Sequence, residues 1–262
     1  MARVVLTQPS PRVGALQQRL RERGHEALAL PLSRIVEQTD APAVRDCLAH
    51  LDRFDWIVPV SPAAVAALAR VPGLRWPAAL RVAVVGPGSL QAIADCALPI
   101  GRDRVLAPAA APFDADALIG LPPLDAPRGL RILVLRGESG SEDWIARLRA
   151  GGATVQTCAL YRREPVEPSG EALAALRAML AQVPAPVFVF TQVDGVARLE
   201  RCLAQAGLAA QAHAAAAFAV HARIAGALAR SGWRRVRVIE PGEPALVAAL
   251  ECSEDSPSTE SV

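Results

Sequence analysis

The chain of 262 residues contains no lysine and no asparagine. Its 28 lysine-or-arginine positions are therefore all arginines. Without a lysine the protein cannot form a Schiff base, hold pyridoxal phosphate or contact phosphates through a Walker A or kinase-type lysine. Enzyme classes that depend on these groups are excluded.

Aromatic residues are scarce, at 4% of the chain, and long apolar segments are missing. Ala214–Val220 is among the longest apolar runs, whereas a membrane-spanning helix needs roughly 20 such residues. Hydrophobic residues still make up 52% of the sequence, enough to build cores from alanine, leucine and valine. A polar residue and a proline, Gln8 and Pro9, interrupt the apolar start too early for a signal peptide. We therefore expect a soluble, cytoplasmic protein with no membrane partner.

Basic charge is scattered along the chain. The net charge is +2, and the last residues, Glu251–Val262, are acidic. Arg234–Arg237 is the one tight arginine cluster, and such a cluster is more typical of a strand edge than of a nucleic-acid interface. We therefore expect an anionic small molecule as the ligand, and no nucleic acid.

Neither the cysteines nor the histidines have the spacing of a metal site. The five cysteines lie far apart and form no CxxC motif, which favours buried thiols in a reducing compartment. Of the four histidines, only His221 comes at the predicted end of a strand. The sequence predicts no metal and no disulfide framework.

Short apolar runs alternate with amphipathic helical patterns. The runs are Val4–Leu6, Trp56–Val60, Val82–Val85, Ile132–Leu135, Val187–Phe190 and Ala216–Val220. A small or polar residue follows each run. Asp114 and Ser169 are predicted N-caps of later helices. Unbroken apolar strands alternating with helices predict an α/β protein with a parallel sheet covered on both faces.

Two segments at strand ends have counterparts later in the chain. Pro59–Val65 resembles Phe190–Val196, and Val85–Ser89 resembles Val220–Ile224. This internal echo predicts two similar α/β lobes.

Ligands of open α/β sheets bind at the carboxyl ends of the strands, where helix N-termini offer free amides to anions. The candidate binding residues are therefore those at the strand ends: Thr7, Gln8, Ser61, Pro62, Gly86, Ser89, Arg136, Gly137, Thr191, Gln192, His221 and Arg223. Ser61 and Thr191 could equally be helix caps, and His221 a loop or capping residue. Neither GxGxxG nor GxSxG is present at these ends, which disfavours a nicotinamide site and an α/β-hydrolase.

Several short motifs follow one another in a recognisable order. They are Leu6–Pro9, Val60–Val65, Val84–Ser89, Val134–Gly140, Leu148–Val155, Leu160–Pro165, Phe190–Thr191 and Ile239–Pro241. In order and spacing this series resembles the uroporphyrinogen-III synthase family, from Val4 to about Ala249. Each motif is degenerate on its own, so the resemblance rests on the series.

Four positions depart from the family's pattern. The family often has arginine where Gln8 and Ser141 stand, serine where Gln192 stands, and a hydroxyl residue where Ile224 stands. Positions that could hold substrate carboxylates are therefore less basic in this chain.

The resemblance implies two flavodoxin-like lobes joined by two extended strands. Residues 1–33 and 168–250 would form a discontinuous lobe 1, and residues 38–160 would form lobe 2. The connecting strands would be Leu30–Glu37 and Leu160–Glu167. Glu251–Val262 is predicted to be a disordered acidic tail.

The resemblance also implies a reaction. Hydroxymethylbilane, an anionic linear tetrapyrrole, would lose its terminal hydroxyl and close with its last pyrrole ring inverted, and no cofactor would be needed. Tyr161, the only tyrosine of the chain, matches a tyrosine of the family and would donate a proton to the leaving hydroxyl, since a phenol is a donor at neutral pH. Packing of the connection between the lobes is an equally open role for Tyr161.

Two other hypotheses stay open. The four departures suggest an inactive tetrapyrrole-binding or regulatory paralogue, and the fold class alone allows an unrelated two-lobe protein, such as a periplasmic-type binding protein or a nucleotide-sugar transferase. For the synthase we expect a monomer whose substrate comes from hydroxymethylbilane synthase as the upstream enzyme.

Overall fold

The computed structural model describes residues 1–96 and 98–254. They divide into two compact units. Unit 1 consists of Met1–Arg34 and the chain from Glu164 onward, and unit 2 is Ile35–Arg163. Within the described ranges, no helix has both the length and the hydropathy needed to cross a membrane.

Strands and helices alternate along most of the chain. The strands are β1 (Arg3–Leu6), β2 (Glu26–Ala29), β3 (Ser33–Glu37), β4 (Trp56–Pro59), β5 (Arg81–Ala83), β6 (Val105–Leu106), β7 (Arg131–Gly137), β8 (Thr154–Pro165), β9 (Val187–Phe190), β10 (Ala216–Ala219) and β11 (Arg235–Val238). The α-helices are α1 (Arg12–Glu22), α2 (Pro42–Ala49), α3 (Pro62–Ala69), α4 (Pro87–Asp95), α5 (Ala115–Ile119), α6 (Asp143–Ala150), α7 (Gly170–Leu180), α8 (Val193–Ala206), α9 (Ala209–Ala214), α10 (Ala222–Arg230) and α11 (Glu243–Glu254). The chain passes between the units in β3 and in β8.

Unit 1 is built on a five-stranded parallel sheet in the order β11-β10-β9-β1-β2. Alternate strand residues point to opposite faces, so Phe188 joins one core with α7 to α10 while Val189 joins another with α1 and α11. Helices thus cover both faces. In the unit's own strand numbering the order is 2-1-3-4-5, which is the flavodoxin order.

Unit 2 is built on a six-stranded sheet in the order β3-β8-β7-β4-β5-β6. One face packs against α2, α3 and α4, and the other against α5 and α6. Counted from β7, the strands β8-β7-β4-β5-β6 repeat the flavodoxin order, so unit 2 is a circular permutation of unit 1. The two sheets confirm the predicted fold class.

The strand registers give the internal echo a structural basis. Ile132 of β7 lies opposite Trp56 of β4, as Val4 of β1 lies opposite Val187 of β9. Counting forward from these pairs makes Ser61 equivalent to Gln192 and Arg136 to Gln8. In the next strands Arg81 lies opposite Trp56 and Ala216 opposite Val187, which makes Gly86 equivalent to His221. The first and third equivalent pairs occupy the N-cap positions of equivalent helices, as the echo predicts.

Local signals explain where the helices begin and end. Asp114 and Ser169 are N-caps, as predicted, and each accepts a hydrogen bond from the backbone three residues later. Helix α8 buries Val196, Leu199 and Leu203 at helical spacing. It ends at Gly207, whose φ of 66° lies in the left-handed region that glycine adopts without strain.

Two predictions about the C-terminal part have different outcomes. The arginine cluster Arg234–Arg237 lies largely in β11, the edge strand of its sheet, which confirms the strand-edge interpretation. The disordered tail predicted for Glu251–Val262 is wrong at its start, because α11 continues through Glu254. Residues 255–262 lie outside the described part of the chain.

Candidate functional site

The strand orders single out one point on the carboxyl edge of each sheet. In a flavodoxin-like sheet, neighbouring strands whose connections run in opposite directions leave a crevice at their carboxyl ends. That point lies between β7 and β4 in unit 2, and between β1 and β9 in unit 1. The predicted site residues lie at or next to these two edges.

Ser61 follows β4 and is the N-cap of α3. Its Oγ accepts a hydrogen bond of 3.2 Å from the Ala64 amide. Pro62 occupies the first helical turn, where the missing N–H of proline costs no hydrogen bond. The capping role considered for Ser61 is therefore confirmed, and its hydroxyl has a second contact.

That second contact is Tyr161 on β8. The Oη of Tyr161 lies 3.0 Å from the Oγ of Ser61, and either hydroxyl can be the donor. The Tyr161 side chain is only 2% exposed and is part of the core beneath α3. Ser61 is half-buried, so it is the outer member of the pair.

Gly137 makes room for the Tyr161 ring. A Cβ atom at this position would lie 2.8 Å from Cε2 of the ring, closer than carbon atoms can approach. The register between β7 and β8 shifts between Arg136 and Gly137, and this irregularity places Gly137 opposite Tyr161. The amide of Glu138 then donates to the Tyr161 carbonyl at 3.0 Å. The bulge and the glycine together fix the ring beside Ser61.

Arg163 is a member of this cluster that the sequence reasoning missed. Its Nη2 donates to the Oη of Tyr161 at 3.3 Å, and its guanidinium carbon lies 5.4 Å from the ring centroid. The spacing of Tyr161 and Arg163 in the sequence could have indicated this contact, because residues two apart on a strand point to the same face.

Arg136, predicted to meet an anionic ligand, is buried and already paired. Its side chain is 8% exposed and forms an ion pair with Glu142, whose side chain is 64% exposed. Gly140 has a φ of +153°, and a Cβ there would lie 2.7 Å from the Arg136 guanidinium. The loop after β7 is thus shaped around this arginine.

Gly86 and Ser89 lie at the start of α4. Gly86 is the N-cap, and a Cβ on it would lie 2.9 Å from the Cβ of Phe113. Ser89 is 4% exposed, and its amide donates to the Gly86 carbonyl at 3.0 Å. Both residues therefore serve the packing of the helix start.

In unit 1 the predicted residues contact the backbone close by. The Oγ1 of Thr7 donates to the Val189 carbonyl at 2.8 Å, and Nδ1 of His221 accepts from the Arg223 amide at 3.0 Å. His221 is thus a capping residue, one of the two roles considered for it. Gln192 is the N-cap of α8 without a side-chain hydrogen bond to the helix, and Thr191 precedes it. In the described part of the chain, no hydrogen bond links these side chains to one another.

The four departures from the family pattern have different surroundings. Ile224 is 3% exposed and lies in the core of unit 1, so this departure does not change the surface that a ligand can reach. Ser141 accepts a bond of 3.4 Å from the Asp143 amide at the start of α6. Gln8 and Gln192 are half-buried at the carboxyl edge of unit 1.

The cysteines are free thiols, and three of the five are buried. A hydrogen bond between Cys47 and Cys158, together with burial, raises the pKa of Cys158, and the same bond lowers the pKa of Cys47. Burial and a hydrogen bond to Glu167 raise the pKa of Cys202 to about 11. Among the described residues, no group of three or more metal-ligating side chains is arranged to hold a metal ion.

The family model described as "Uroporphyrinogen-III synthase HemD" matches residues 14–248. A uroporphyrinogen-III synthase of Salmonella typhimurium is 33% identical over 168 residues, which are 61% of this chain and 64% of that protein. The Escherichia coli protein of the same name is 29% identical over 170 residues, which are 64% of this chain and 67% of that protein. The matched region thus spans somewhat less than two thirds of the Salmonella relative.

Solved structures are similar over almost the whole chain. A mutant uroporphyrinogen III synthase of Thermus thermophilus matches with a TM-score of 0.57 and 18% identity, covering 98% of this chain and all of that one. The enzyme of Helicobacter pylori matches with a TM-score of 0.55 and 13% identity, covering 96% of this chain. At these identities the structures support the fold alone.

Proposed function

Since this chain belongs to the uroporphyrinogen-III synthase family, we propose that it cyclises hydroxymethylbilane to uroporphyrinogen III. The terminal C–O bond of the substrate breaks and the hydroxyl leaves as water. The freed carbon bonds to the substituted carbon of the last pyrrole, the C–C bond that joined this pyrrole to the chain breaks, and a second C–C bond closes the ring with the pyrrole inverted and one of its protons lost. No electrons are gained or lost overall. We therefore assign a hydro-lyase that needs no redox cofactor.

The hydrogen bond between Tyr161 and Ser61 is the observation that carries the proposed mechanism. Loss of the hydroxyl as water requires one proton, and a positioned general acid is the usual way to supply it. Tyr161 is almost fully buried, whereas Ser61 is half-buried at the sheet edge. The proton would pass from the phenol through the Ser61 hydroxyl to the leaving oxygen. The proton that the last ring loses on reclosure would restore the phenol.

The other requirement is a surface that holds a polyanion in one conformation, which is catalysis by orientation. Amides at the starts of α3, α4 and α8 are suited to bind carboxylates. We propose that these amides and the residues at the carboxyl edge of each unit bind substrate carboxylates. The residues are Ser61, Pro62, Gly86, Ser89, Arg136 and Gly137 in unit 2, and Thr7, Gln8, Thr191, Gln192, His221 and Arg223 in unit 1.

The inactive-paralogue alternative is not favoured. Each of the relatives and solved structures named above carries the synthase name. Ile224, one of the four departures behind that alternative, lies in the core rather than at a sheet edge. We further propose a monomer that acts in the cytoplasm on the product of hydroxymethylbilane synthase. Free thiols fit such a reducing compartment.

The test is an assay coupled to hydroxymethylbilane synthase, with the two uroporphyrinogen isomers separated. Spontaneous closure gives isomer I, so an active chain should yield isomer III in proportion to its concentration. The heat-denatured chain is the control. Isomer I alone, together with measurable binding of uroporphyrinogen III, would support the paralogue instead.

A further inference from the structure

Arg163 contacts the phenol of Tyr161 from the same strand. Both residues lie on β8, two positions apart. The guanidinium carbon lies 5.4 Å from the ring centroid, and Nη2 donates to the phenol oxygen at 3.3 Å. Tyr161 thus has a cation and a hydroxyl, that of Ser61, at the same oxygen atom.

The position of the Arg163 side chain is energetically unfavourable in one respect. Its Nε is buried and has no hydrogen-bond partner among the described residues. A buried donor without a partner is destabilising, because the group has lost its water and gained nothing in exchange. Such a cost is expected where a side chain is fixed for a purpose other than stability.

We propose that Arg163 is a positioning residue for the reaction assigned above. It holds the phenol oxygen against Ser61, and its positive charge offsets the negative charge left on that oxygen when the proton leaves. Arginine has no acceptor, so it can only donate to the phenol oxygen, and it leaves the phenolic proton available to Ser61. This inference rests on the proposed function and assigns Arg163 no contact with substrate.

The competing role is direct binding of a substrate carboxylate. Arg163 is half-buried and its Nε is shielded, so that donor does not face solvent. The two roles differ in kinetics. A carboxylate-binding arginine contributes to KM, whereas one that acts through Tyr161 contributes to kcat.

The decisive experiment is a double-mutant cycle on isomer III formation. Arg163→Met should lower kcat about tenfold, the usual effect of losing one hydrogen bond to a charged group, and leave KM within about twofold. In a Tyr161→Phe background the same change should cause no further loss, because the hydroxyl through which Arg163 acts is already gone. Arg163→Lys, which keeps the charge, should recover part of the rate.

Arg53→Met is the matched control, since Arg53 is exposed and precedes β4 at the opposite edge of the sheet. It should leave kcat unchanged. Equal losses from Arg163→Met in both backgrounds, or a loss confined to KM, would overturn the positioning role while leaving the proposed function intact. If Tyr161→Phe itself retained the full rate, the acid role of Tyr161 would fail, and the Arg163 role with it.

The single tyrosine offers a readout apart from activity. With ring-labelled tyrosine, nuclear magnetic resonance shows the signals of Tyr161 alone. These signals should shift in Arg163→Met and stay in place in Arg53→Met. Unchanged ring signals in Arg163→Met would contradict the contact on which the proposal depends.

Discussion

The two units place different chemistry at equivalent positions of one topology. Ser61 in unit 2 corresponds to Gln192 in unit 1, and both are helix N-caps, yet only Ser61 caps through its side chain. Ser61 also reaches a second side chain, Tyr161, on β8. The difference between the two positions therefore comes from β8, which brings Tyr161 to Ser61, and not from the N-cap itself.

Strand length explains why unit 1 has no counterpart of the cluster among its described residues. Strands β7 and β8 are seven and 12 residues long, whereas their equivalents β1 and β2 have four residues each. The extra length carries β8 past the end of β4, and the bulge at Gly137 turns Tyr161 towards Ser61. Unit 1 ends its strands earlier and satisfies Thr7 with the backbone. Under the proposed function, the carboxyl edge of unit 2 would supply the proton and that of unit 1 would bind substrate carboxylates.

Removing the phenol hydroxyl should have the largest effect. Tyr161→Phe is expected to lower isomer III formation about 10²-fold, the range for losing one general acid, with little change in melting temperature. The comparison variant in unit 1 is Thr7→Val, which removes a buried hydroxyl that donates to the Val189 carbonyl. That variant should act on KM more than on kcat. Comparable losses of kcat in both variants would break the distinction between the two edges.

Filling the space beside the Tyr161 ring should have the second-largest effect. Gly137→Ala places a methyl group 2.8 Å from the Tyr161 ring, and overpacking of this kind costs about 1–3 kcal/mol of unfolding free energy. The ring should move away from Ser61, so activity should fall as well. Gly14→Ala is the control, because a Cβ there meets nothing within 4 Å and alanine favours the helix by about 0.5–1 kcal/mol. Full activity in Gly137→Ala would show that the ring position is not critical.

Removing the Ser61 hydroxyl tests whether this residue acts only as a helix cap or also in the reaction. Ser61→Ala should destabilise unit 2 by about 1 kcal/mol, the usual cost of a lost N-cap. Ser169→Ala removes a similar cap from α7 in unit 1, with a bond of 3.2 Å to the Ala172 amide, and should cost about as much. Only Ser61→Ala should lower the rate, by about tenfold, because only Ser61 contacts Tyr161. Matching kinetics in the two variants would reduce Ser61 to a cap.

The apolar periodicity of the sequence, and the rule that polar residues follow buried strands, could predict the sheets, the helix caps and the residues at the carboxyl ends of the strands. They work because apolar runs and caps are local signals. The pairing of Arg136 with Glu142 and the contact of Gly86 with Phe113 could not be predicted, since both depend on how a loop folds back. The short strands β2 and β6 also lack a distinct apolar run, because their pairing, not their sequence, defines them. The acid role of Tyr161 came from family resemblance, and it remains a prediction.

At the amino edges the same comparison gives the smallest expected effect. Arg131 starts β7 and donates to both carboxylate oxygens of Asp55, with Nη2 at 2.7 Å from Oδ1. Its equivalent Arg3 starts β1 and donates to the Pro184 carbonyl at 2.8 Å and, through Nε alone, to a carboxylate oxygen of Glu26 at 3.1 Å. The Asp55 carboxylate accepts three bonds from Arg131, one of them from its backbone amide, whereas a single bond joins Arg3 to Glu26. We therefore expect a pH-dependent contribution to stability from the Asp55 contact in unit 2.

The sign of that contribution follows from the pKa of Asp55. Hydrogen bonding to the Arg131 side chain, opposed by burial, lowers the pKa of Asp55 below its ordinary value of 3.8. A carboxylate with a lowered pKa stabilises the folded state above its unfolded pKa, and that stabilisation is lost as the pH falls through the folded value. Asp55→Asn should therefore lower the melting temperature near neutral pH, and the difference should shrink below about pH 4. Because both side chains are more than a third exposed, the effect should stay within about 1 kcal/mol.

The control is Asp116→Asn, which removes a more exposed carboxylate paired with Arg147 and should show a smaller difference. A difference between Asp55→Asn and the unmodified chain that is equal at neutral and acid pH would mean that Arg131 stabilises the edge through the backbone of Asp55 and not through its charge.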